Sequence, residues 1–278
     1  MKTVATKHVG KPAKAAAKGL REPQTLSPKA LAAAVKGVPA TRARAIAASE
    51  SVAPKVRRGK TAKPLAPERV AAILDALRKT YPNVVCALIH KNAFELTIAT
   101  ILSAQTTDVG VNKATPELFR RFPTPKALAA ASLVEIEPLI KSTGFFRSKA
   151  KNIQGAARVL VEKFGGEVPE TVEEMIQLPG VARKTANVVL GSWFGIPSGV
   201  VVDTHVLRLS RRLELTKNTD PVKVEQDLMK VIPKDRWIQF SHELIHHGRQ
   251  VCIARNPRCV DCSLETVCNS ADKTWSSH

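Results

Sequence analysis

The residues with the clearest chemical potential are a lysine and an aspartate nineteen positions apart, Lys184 and Asp203. Lys184 falls in the first turn of a predicted helix, where the helix dipole disfavours a cation and favours the neutral, nucleophilic amine. Asp203 follows an apolar run, and its carboxylate can cap the next helix as well as act in chemistry. The pair therefore suits nucleophilic catalysis by an amine with a carboxylate as its partner.

Two helices joined by a tight turn are predicted to position the lysine. Thr171 and Glu174 have the spacing of a capping box, so a short helix can run up to Leu178. Pro179 and Gly180 interrupt it, and a second helix with apolar periodicity follows. The turn leaves backbone N–H groups unpaired at a helix N-terminus, and a nucleic-acid phosphate would satisfy them.

Four cysteines occur within seventeen residues near the C-terminal end: Cys252, Cys259, Cys262 and Cys268. Thiolates at this density suit either Zn²⁺ or an iron–sulfur cluster. Structural zinc sites usually pair two short Cys-x-x-Cys spacings, and only one is present. The spacing favours the cluster, with zinc as the alternative.

The segment from His242 to His246 matches the zinc-protease pattern H-E-x-x-H. No extended ligand pattern lies nearby, and the helix runs directly into Cys252. We therefore predict that these are polar residues on the exposed face of a helix.

Helical patterns cover most of the chain after residue 65, and the one strand-like run, at 200–202, is very short. Helices are predicted at 70–77, 93–102, 108–122, 125–131, 134–140, 148–164 and 237–253, with another starting at Pro221. An aspartate, Asp108, is the predicted cap of the third. The fold class is all-α, without a detected internal repeat.

The basic charge is concentrated at the N-terminal end. The protein has a net charge of +19, and residues 1–67 contain ten Lys and five Arg against two Glu. Such a segment, rich in Ala, Pro and Lys and without aromatic residues, is predicted to be disordered. It could attract nucleic acid or serve only as a solubilising extension; a transit peptide is less favoured. No secretory or membrane-spanning segment is predicted.

Three segments together resemble the endonuclease III family of helix–hairpin–helix DNA glycosylases. They are residues 178–189, the Val202-Asp-Thr-His205 segment and the four-cysteine spacing. Residues 102–109, 111–114 and 148–153 are similar to further stretches of the family. The resemblance covers about residues 66–272 and excludes the basic tail.

The resemblance implies a two-domain fold. Residues 86–197 would form a six-helix barrel containing the hairpin, and residues 66–85 with 198–272 would form the domain that holds a [4Fe–4S] cluster. Residues 1–65 would be the disordered basic tail. Lys184 and Asp203 would meet in the groove between the domains.

The implied activity is that of a bifunctional DNA glycosylase and AP lyase of base excision repair. The Lys184 amine would attack C1′ of the damaged nucleotide, and a Schiff base would then allow β-elimination, with Asp203 assisting. Expected substrates are double-stranded DNA with oxidised pyrimidines or abasic sites. We expect a monomer in the cytoplasm, associated with the nucleoid.

Five residues are predicted to contact DNA. Gln105 would hydrogen-bond the orphaned partner base, with helix capping as the alternative role. Phe145 would be a wedge inserted into the base stack, with a place in the core as its alternative. Gly180, Ala182 and Arg183 would contact phosphate through the hairpin.

The chain departs from the family at two of these positions. Glycine usually stands where this chain has Ala182, so alanine would cost about 1 kcal/mol if the position required a positive φ. Leucine is common at the position of Phe145, and the larger ring could shift the preference for the opposite base.

Two other functions are compatible with parts of the pattern. A monofunctional adenine glycosylase of the superfamily would lack Lys184 and carry a glutamate before Gln105, but residues 96–105 contain no carboxylate. A non-catalytic DNA-binding protein with a cluster would need the hairpin and the cysteines but not the Lys184–Asp203 pair.

Overall fold

The computed structural model describes residues 63–274, and every regular element within that range is helical. The predicted all-α class is therefore confirmed. The predicted basic tail falls almost entirely outside the described residues. The α-helices are α1 (Pro67–Thr80), α2 (Ala93–Leu102), α3 (Asp108–Arg121), α4 (Pro125–Ala130), α5 (Leu133–Ile140), α6 (Phe146–Phe164), α7 (Val172–Met175), α8 (Arg183–Val189), α9 (Thr204–Arg212), α10 (Pro221–Val231) and α11 (Trp237–Gln250).

Side-chain caps start most of these helices. Asn92 accepts a hydrogen bond from the Glu95 N–H to begin α2, and Asp220 caps α10 ahead of Pro221. The prediction that Asp108 caps α3 is wrong, because Thr107 is the N-cap and accepts from the Gly110 N–H. Asp108 instead lies in the first turn, where a carboxylate complements the helix dipole.

The first hydrophobic core is built around α2, whose residues are almost all buried. Helices α3 to α8 pack around it, and α6 makes contact with α2, α4 and α5. Residues of this core run from Leu88 to Leu190. The chain leaves it through a five-residue π-helix, Leu190–Phe194.

The second core joins the start of the described chain to its end. It contains apolar residues of α1, α9, α10 and α11, and Cys252, Cys262 and Cys268 pack against its edge. Phe240 and Ile73 are fully buried in it. The cysteine segment is thus anchored on α1 and α11 by apolar packing.

Polar contacts connect the two cores. Arg249 on α11 pairs with Asp108 on α3 at 2.8 Å, and the Ser192 hydroxyl of the π-helix lies 3.3 Å from His242 Nε2 on α11. Within residues 63–274, none of the helices has the length and apolarity needed to cross a bilayer.

Candidate active site and cysteine cavity

The hairpin turn depends on one glycine. Gly180 has φ +79°, and a Cβ there would lie 3.0 Å from Asn152 Cβ and 3.1 Å from Ile101 Cγ2. Ala182 is extended, with φ −98° and ψ 170°, and is the N-cap of α8. The cost expected for alanine at that position therefore does not arise, because only Gly180 needs the left-handed region. The preceding helix, α7, ends at Met175, short of the predicted Leu178.

Substituting Gly180→Ala is expected to destabilise the protein by about 1–3 kcal/mol, because it adds both backbone strain and crowding. Gly195→Ala is the matched control, since Gly195 has φ +69° but nothing within 4 Å of a Cβ. Urea denaturation of both variants measures the effect. Equal losses for the two would mean that close packing at the hairpin contributes nothing.

Lys184 is exposed on the first turn of α8. Its neighbour Arg183 points toward α10, where its Nε lies 3.1 Å from Glu225 Oε2. The guanidinium nevertheless remains partly exposed, so its terminal N–H groups are still accessible for a phosphate. The ion pair gives Arg183 a positioning function that the sequence did not reveal.

Glu225 is the centre of a network that fixes α8. Its buried carboxylate also accepts a hydrogen bond from Asn187 Nδ2 at 2.8 Å, and Asn187 Oδ1 in turn accepts from the Ser198 hydroxyl at 2.9 Å. Gly199 passes so close to Glu225 and Asn187 that a Cβ would collide with both. The helix of Lys184 is thereby tied to the segment that leads into Asp203.

Asp203 is the N-cap of α9, as its position after the apolar run indicated. Its Oδ1 accepts from the N–H groups of His205 and Val206, both at 2.8 Å. Both capping bonds use the same oxygen, so Oδ2 is not occupied by the cap. Asp203 as a whole is partly exposed.

Gln105 and Phe145 share an unusual backbone conformation. Their φ angles are +55° and +47°, and both side chains are exposed, Phe145 to 69%. Phe145 is therefore not a core residue; Phe146 packs against the core instead. Ser103, not Gln105, is the C-cap of α2. Non-glycine residues with positive φ cost about 1–3 kcal/mol each and are concentrated at functional sites.

All four cysteines of the C-terminal segment line one cavity. Its other lining residues are Arg212, Val251, Pro257, Arg258, Glu265, Ser270, Asp272 and Lys273. Within residues 63–274, no three His, Cys, Asp or Glu side chains are arranged to hold a single metal ion. The four thiols share the cavity with the carboxylates of Asp272 and Glu265, which pair with Arg212 and Lys273.

Hydrogen-bond donors surround these sulfur atoms. Arg212 donates to Cys252 Sγ at 3.3 Å, and the Thr274 N–H donates to Cys259 Sγ at 3.4 Å. His247 Nε2 lies 3.4 Å from Cys262 Sγ. Burial raises the pKa of the Cys262 thiol to about 12. Thiolates here would consequently need a positive partner, and cluster iron provides one.

The H-E-x-x-H segment is structural. Glu243 is completely buried and pairs with Arg236 at 3.2 Å, and both histidines are only partly exposed, so the prediction of an exposed polar face is wrong. Burial lowers the pKa of His242 to about 4, and its Nε2 lies 3.3 Å from the Ser192 hydroxyl. His246 packs edge-on against Tyr81. The sequence pattern alone does not reveal that Glu243 is buried with a partly exposed arginine as its ion-pair partner.

Comparison with known families defines the class of protein. Residues 98–234 match the family described as HhH-GPD superfamily base excision DNA repair protein. This range contains the hairpin, Lys184 and Asp203 together with α3 to α10.

Similar sequences and solved structures identify one family within this superfamily. Endonuclease III of Synechocystis is 58% identical over 73% of this chain and 93% of its own length, and that of Escherichia coli K12 is 43% identical over 72% and 95%. A solved non-covalent endonuclease III–DNA complex is 44% identical, with a TM-score of 0.70 over 74% of this chain and 96% of its own. A thermostable thymine-DNA glycosylase, 21% identical with a TM-score of 0.65, shares the fold.

The chain belongs to the endonuclease III family. It is a DNA-binding enzyme of base excision repair, with DNA glycosylase and AP lyase activity. The predicted family, fold and activity are confirmed.

Proposed function

We propose that Lys184 is the nucleophile and Asp203 its carboxylate partner in excision of oxidised pyrimidines and cleavage of abasic sites. The observation that carries this proposal is the placement of the exposed Lys184 on α8, which the Glu225 network ties to the segment leading into Asp203. A solved endonuclease III–DNA complex is described as a trapped covalent intermediate with an estranged adenine. That description supports covalent chemistry in the family.

The reaction needs the functional groups that these residues supply. The Lys184 amine displaces the damaged base at C1′, the base leaves with the electrons of the glycosidic bond, and loss of a proton from nitrogen gives a glycosylamine. The C1′–O4′ bond then breaks as O4′ takes up a proton, which opens the sugar ring and forms the Schiff base between C1′ and Lys184 Nζ. Removal of a C2′ proton then expels the 3′ phosphate by β-elimination. The Asp203 carboxylate stabilises positive charge developing on the sugar and assists these proton transfers.

Gln105 and Phe145 are proposed to act on the gap that the flipped nucleotide leaves. Both lie on exposed turns, and a glutamine amide can donate to and accept from a base edge. An exposed aromatic ring can insert between base steps and hold a kinked duplex open. The hairpin backbone at Gly180 and Ala182, with Arg183, is proposed to bind a phosphate of the same strand.

We propose that the cysteine cavity holds a [4Fe–4S] cluster. Four thiols lining a common space, with Arg212, His247 and the Thr274 N–H directed at the sulfurs, fit a group that spans several ångströms and carries negative charge. When bound, the cluster supplies a covalent crosslink for a segment that otherwise has only short 3₁₀ turns. It lies in the second core, apart from the hairpin.

The purified protein is expected to contain about four iron atoms per chain and to absorb visible light. Cys259→Ala is expected to lower the iron content and to destabilise the C-terminal segment, because it removes one of the four ligands. Cys86→Ala is the control, since Cys86 packs against the first core. Iron analysis with visible spectroscopy makes the measurement. One zinc per chain and no visible absorbance would contradict the cluster.

The domain boundaries are also a proposal. We assign residues 86–197 to a barrel domain and residues 66–85 with 198–272 to a cluster domain, supported by the division of buried residues between two cores. The active protein is proposed to be a monomer, as each core is complete within one chain.

The test of the catalytic proposal is reductive trapping. The protein is incubated with a duplex containing one abasic site in the presence of borohydride, which reduces a Schiff base to a stable covalent adduct. An adduct located on Lys184 by mass spectrometry is the expected result. Repeating the assay with thymine-glycol duplexes tests the substrate class. An adduct on a different residue would refute the assignment of Lys184.

A further inference from the structure

The buried residue Lys149 is not used by the proposed chemistry. It lies at the start of α6 and is only 4% exposed. Its Nζ donates to Thr106 Oγ1 and to the Thr143 carbonyl, both at 2.7 Å. Within residues 63–274, no carboxylate lies within ion-pairing distance of it, and burial lowers the pKa of its ammonium. A cation in this position is costly, because burial and the nearby helix N-terminus both oppose it.

The two acceptors of Lys149 belong to two different turns. Thr106 follows Gln105 in the turn after α2, and Thr143 ends the 3₁₀ segment Lys141–Thr143 just before Phe145. The Thr106 hydroxyl also donates to the Thr143 carbonyl, so the three residues form a closed set of hydrogen bonds. Thr143 is itself held by a bond from its hydroxyl to the Ile140 carbonyl at 2.7 Å. One ammonium therefore joins the turns that carry Gln105 and Phe145, two of the four non-glycine residues with positive φ among residues 63–274.

We propose that Lys149 is a positioning residue that sets the placement of Gln105 and Phe145 relative to each other when the enzyme engages damaged DNA. The left-handed residues persist only when their surroundings hold them, and the Lys149 set is the polar contact common to both turns. This inference rests on the DNA contacts proposed for Gln105 and Phe145.

If Lys149 acts by positioning the two turns, its replacement should impair function without lowering the stability of the protein. Replacing a buried, unpaired ammonium by an apolar chain of similar length is often neutral or stabilising. In Lys149→Met the Thr143 carbonyl keeps its bond from Thr106, so no buried acceptor is left unpaired. We expect the melting temperature to be unchanged or raised, while the two turns lose both bonds to Lys149 and keep only the Thr106–Thr143 hydrogen bond between them.

The experiment uses a duplex with a tetrahydrofuran abasic analogue opposite 2-aminopurine, whose fluorescence rises when it is unstacked. Wild-type protein is expected to raise this signal. Lys149→Met is expected to give a smaller rise and to lower kcat on an abasic duplex by about 10- to 100-fold, because small misplacements are costly in catalysis. Affinity for undamaged duplex should match that of Lys163→Met. Lys163, an exposed lysine at the other end of α6, controls for loss of one charge.

A second pair of variants keeps the test decisive if Lys149→Met fails to fold. Thr106→Val removes the shared hydroxyl, whereas Thr106→Ser retains it. The valine variant is expected to lower the 2-aminopurine signal and kcat, and the serine variant to restore both. A full wild-type signal with normal kcat in Lys149→Met or Thr106→Val would overturn the proposal. So would a fall in signal that only parallels a fall in melting temperature.

Two further variants test the proposed DNA contacts of Gln105 and Phe145 independently of Lys149. Gln105→Ala and Phe145→Ala are measured on the same duplex, and both are expected to reduce the fluorescence rise. If neither changes it, the proposed DNA contacts are wrong, and the role of Lys149 falls with them. If both change it and Lys149→Met does not, only the positioning role is refuted.

Discussion

Lys184→Gln is expected to abolish the borohydride-trapped adduct and to lower abasic-site cleavage by about 10³-fold or more. Glutamine preserves much of the length and polarity of the side chain, but its amide nitrogen cannot form a Schiff base with C1′. Because Lys184 is exposed and on the first turn of α8, the substitution should not disturb the core. Stability should stay within about 0.5 kcal/mol of wild type, as for most surface substitutions.

The matched control is Lys126→Gln. Lys126 occupies the second position of α4, as Lys184 does in α8, so the two substitutions make the same change at the same helical position. The control should retain trapping and cleavage. The measurement is the amount of trapped adduct that each variant forms, quantified on denaturing gels. An undiminished amount of adduct with Lys184→Gln would contradict the assignment of Lys184 as the nucleophile.

Asp203→Asn is expected to slow turnover by about 10²- to 10³-fold while leaving DNA binding intact. Asparagine is as good an N-cap as aspartate, so its side-chain oxygen can still accept from His205 and Val206. The substitution therefore removes the charge and the proton-accepting group but not the cap. Single-turnover cleavage and binding to a tetrahydrofuran duplex separate the two effects.

Asp220→Asn is the control for this variant. Asp220 caps α10 in the same manner, by accepting from the Lys223 N–H, and its loss of charge should leave turnover unchanged. If Asp203→Asn instead loses affinity or melts at a much lower temperature, Asp203 is a structural cap and its catalytic role is refuted. Both variants are compared at the same ionic strength, since binding to DNA depends strongly on salt.

Local sequence signals placed most helices within a few residues. The Thr171 cap of α7, prolines in first turns and apolar periodicity act over a few residues, so they can be read without the fold. The same signals failed for Asp108, because a cap depends on the backbone at one position and Thr107 adopts it instead. Helix α11 ends at Gln250, three residues before the predicted end.

The composition of the site was also available from the sequence. The hairpin that carries Lys184, followed by Asp203 and then by the four cysteines, was enough to identify the family. The difficulty expected at Ala182 disappeared only when its extended backbone was seen, and Phe145 was assigned to the surface only from its exposure.

Only the tertiary structure shows which polar groups are buried and which distant residues they contact. Arg183 meets Glu225 across 42 positions, and Lys149 meets Thr106 across 43. Such contacts leave no periodic signal, because they depend on packing between helices that are far apart in the chain. The sequence by itself determined which chemistry this protein can perform. The packing of α6, α8 and α10 decided where Lys184 and the turns of Gln105 and Phe145 are held.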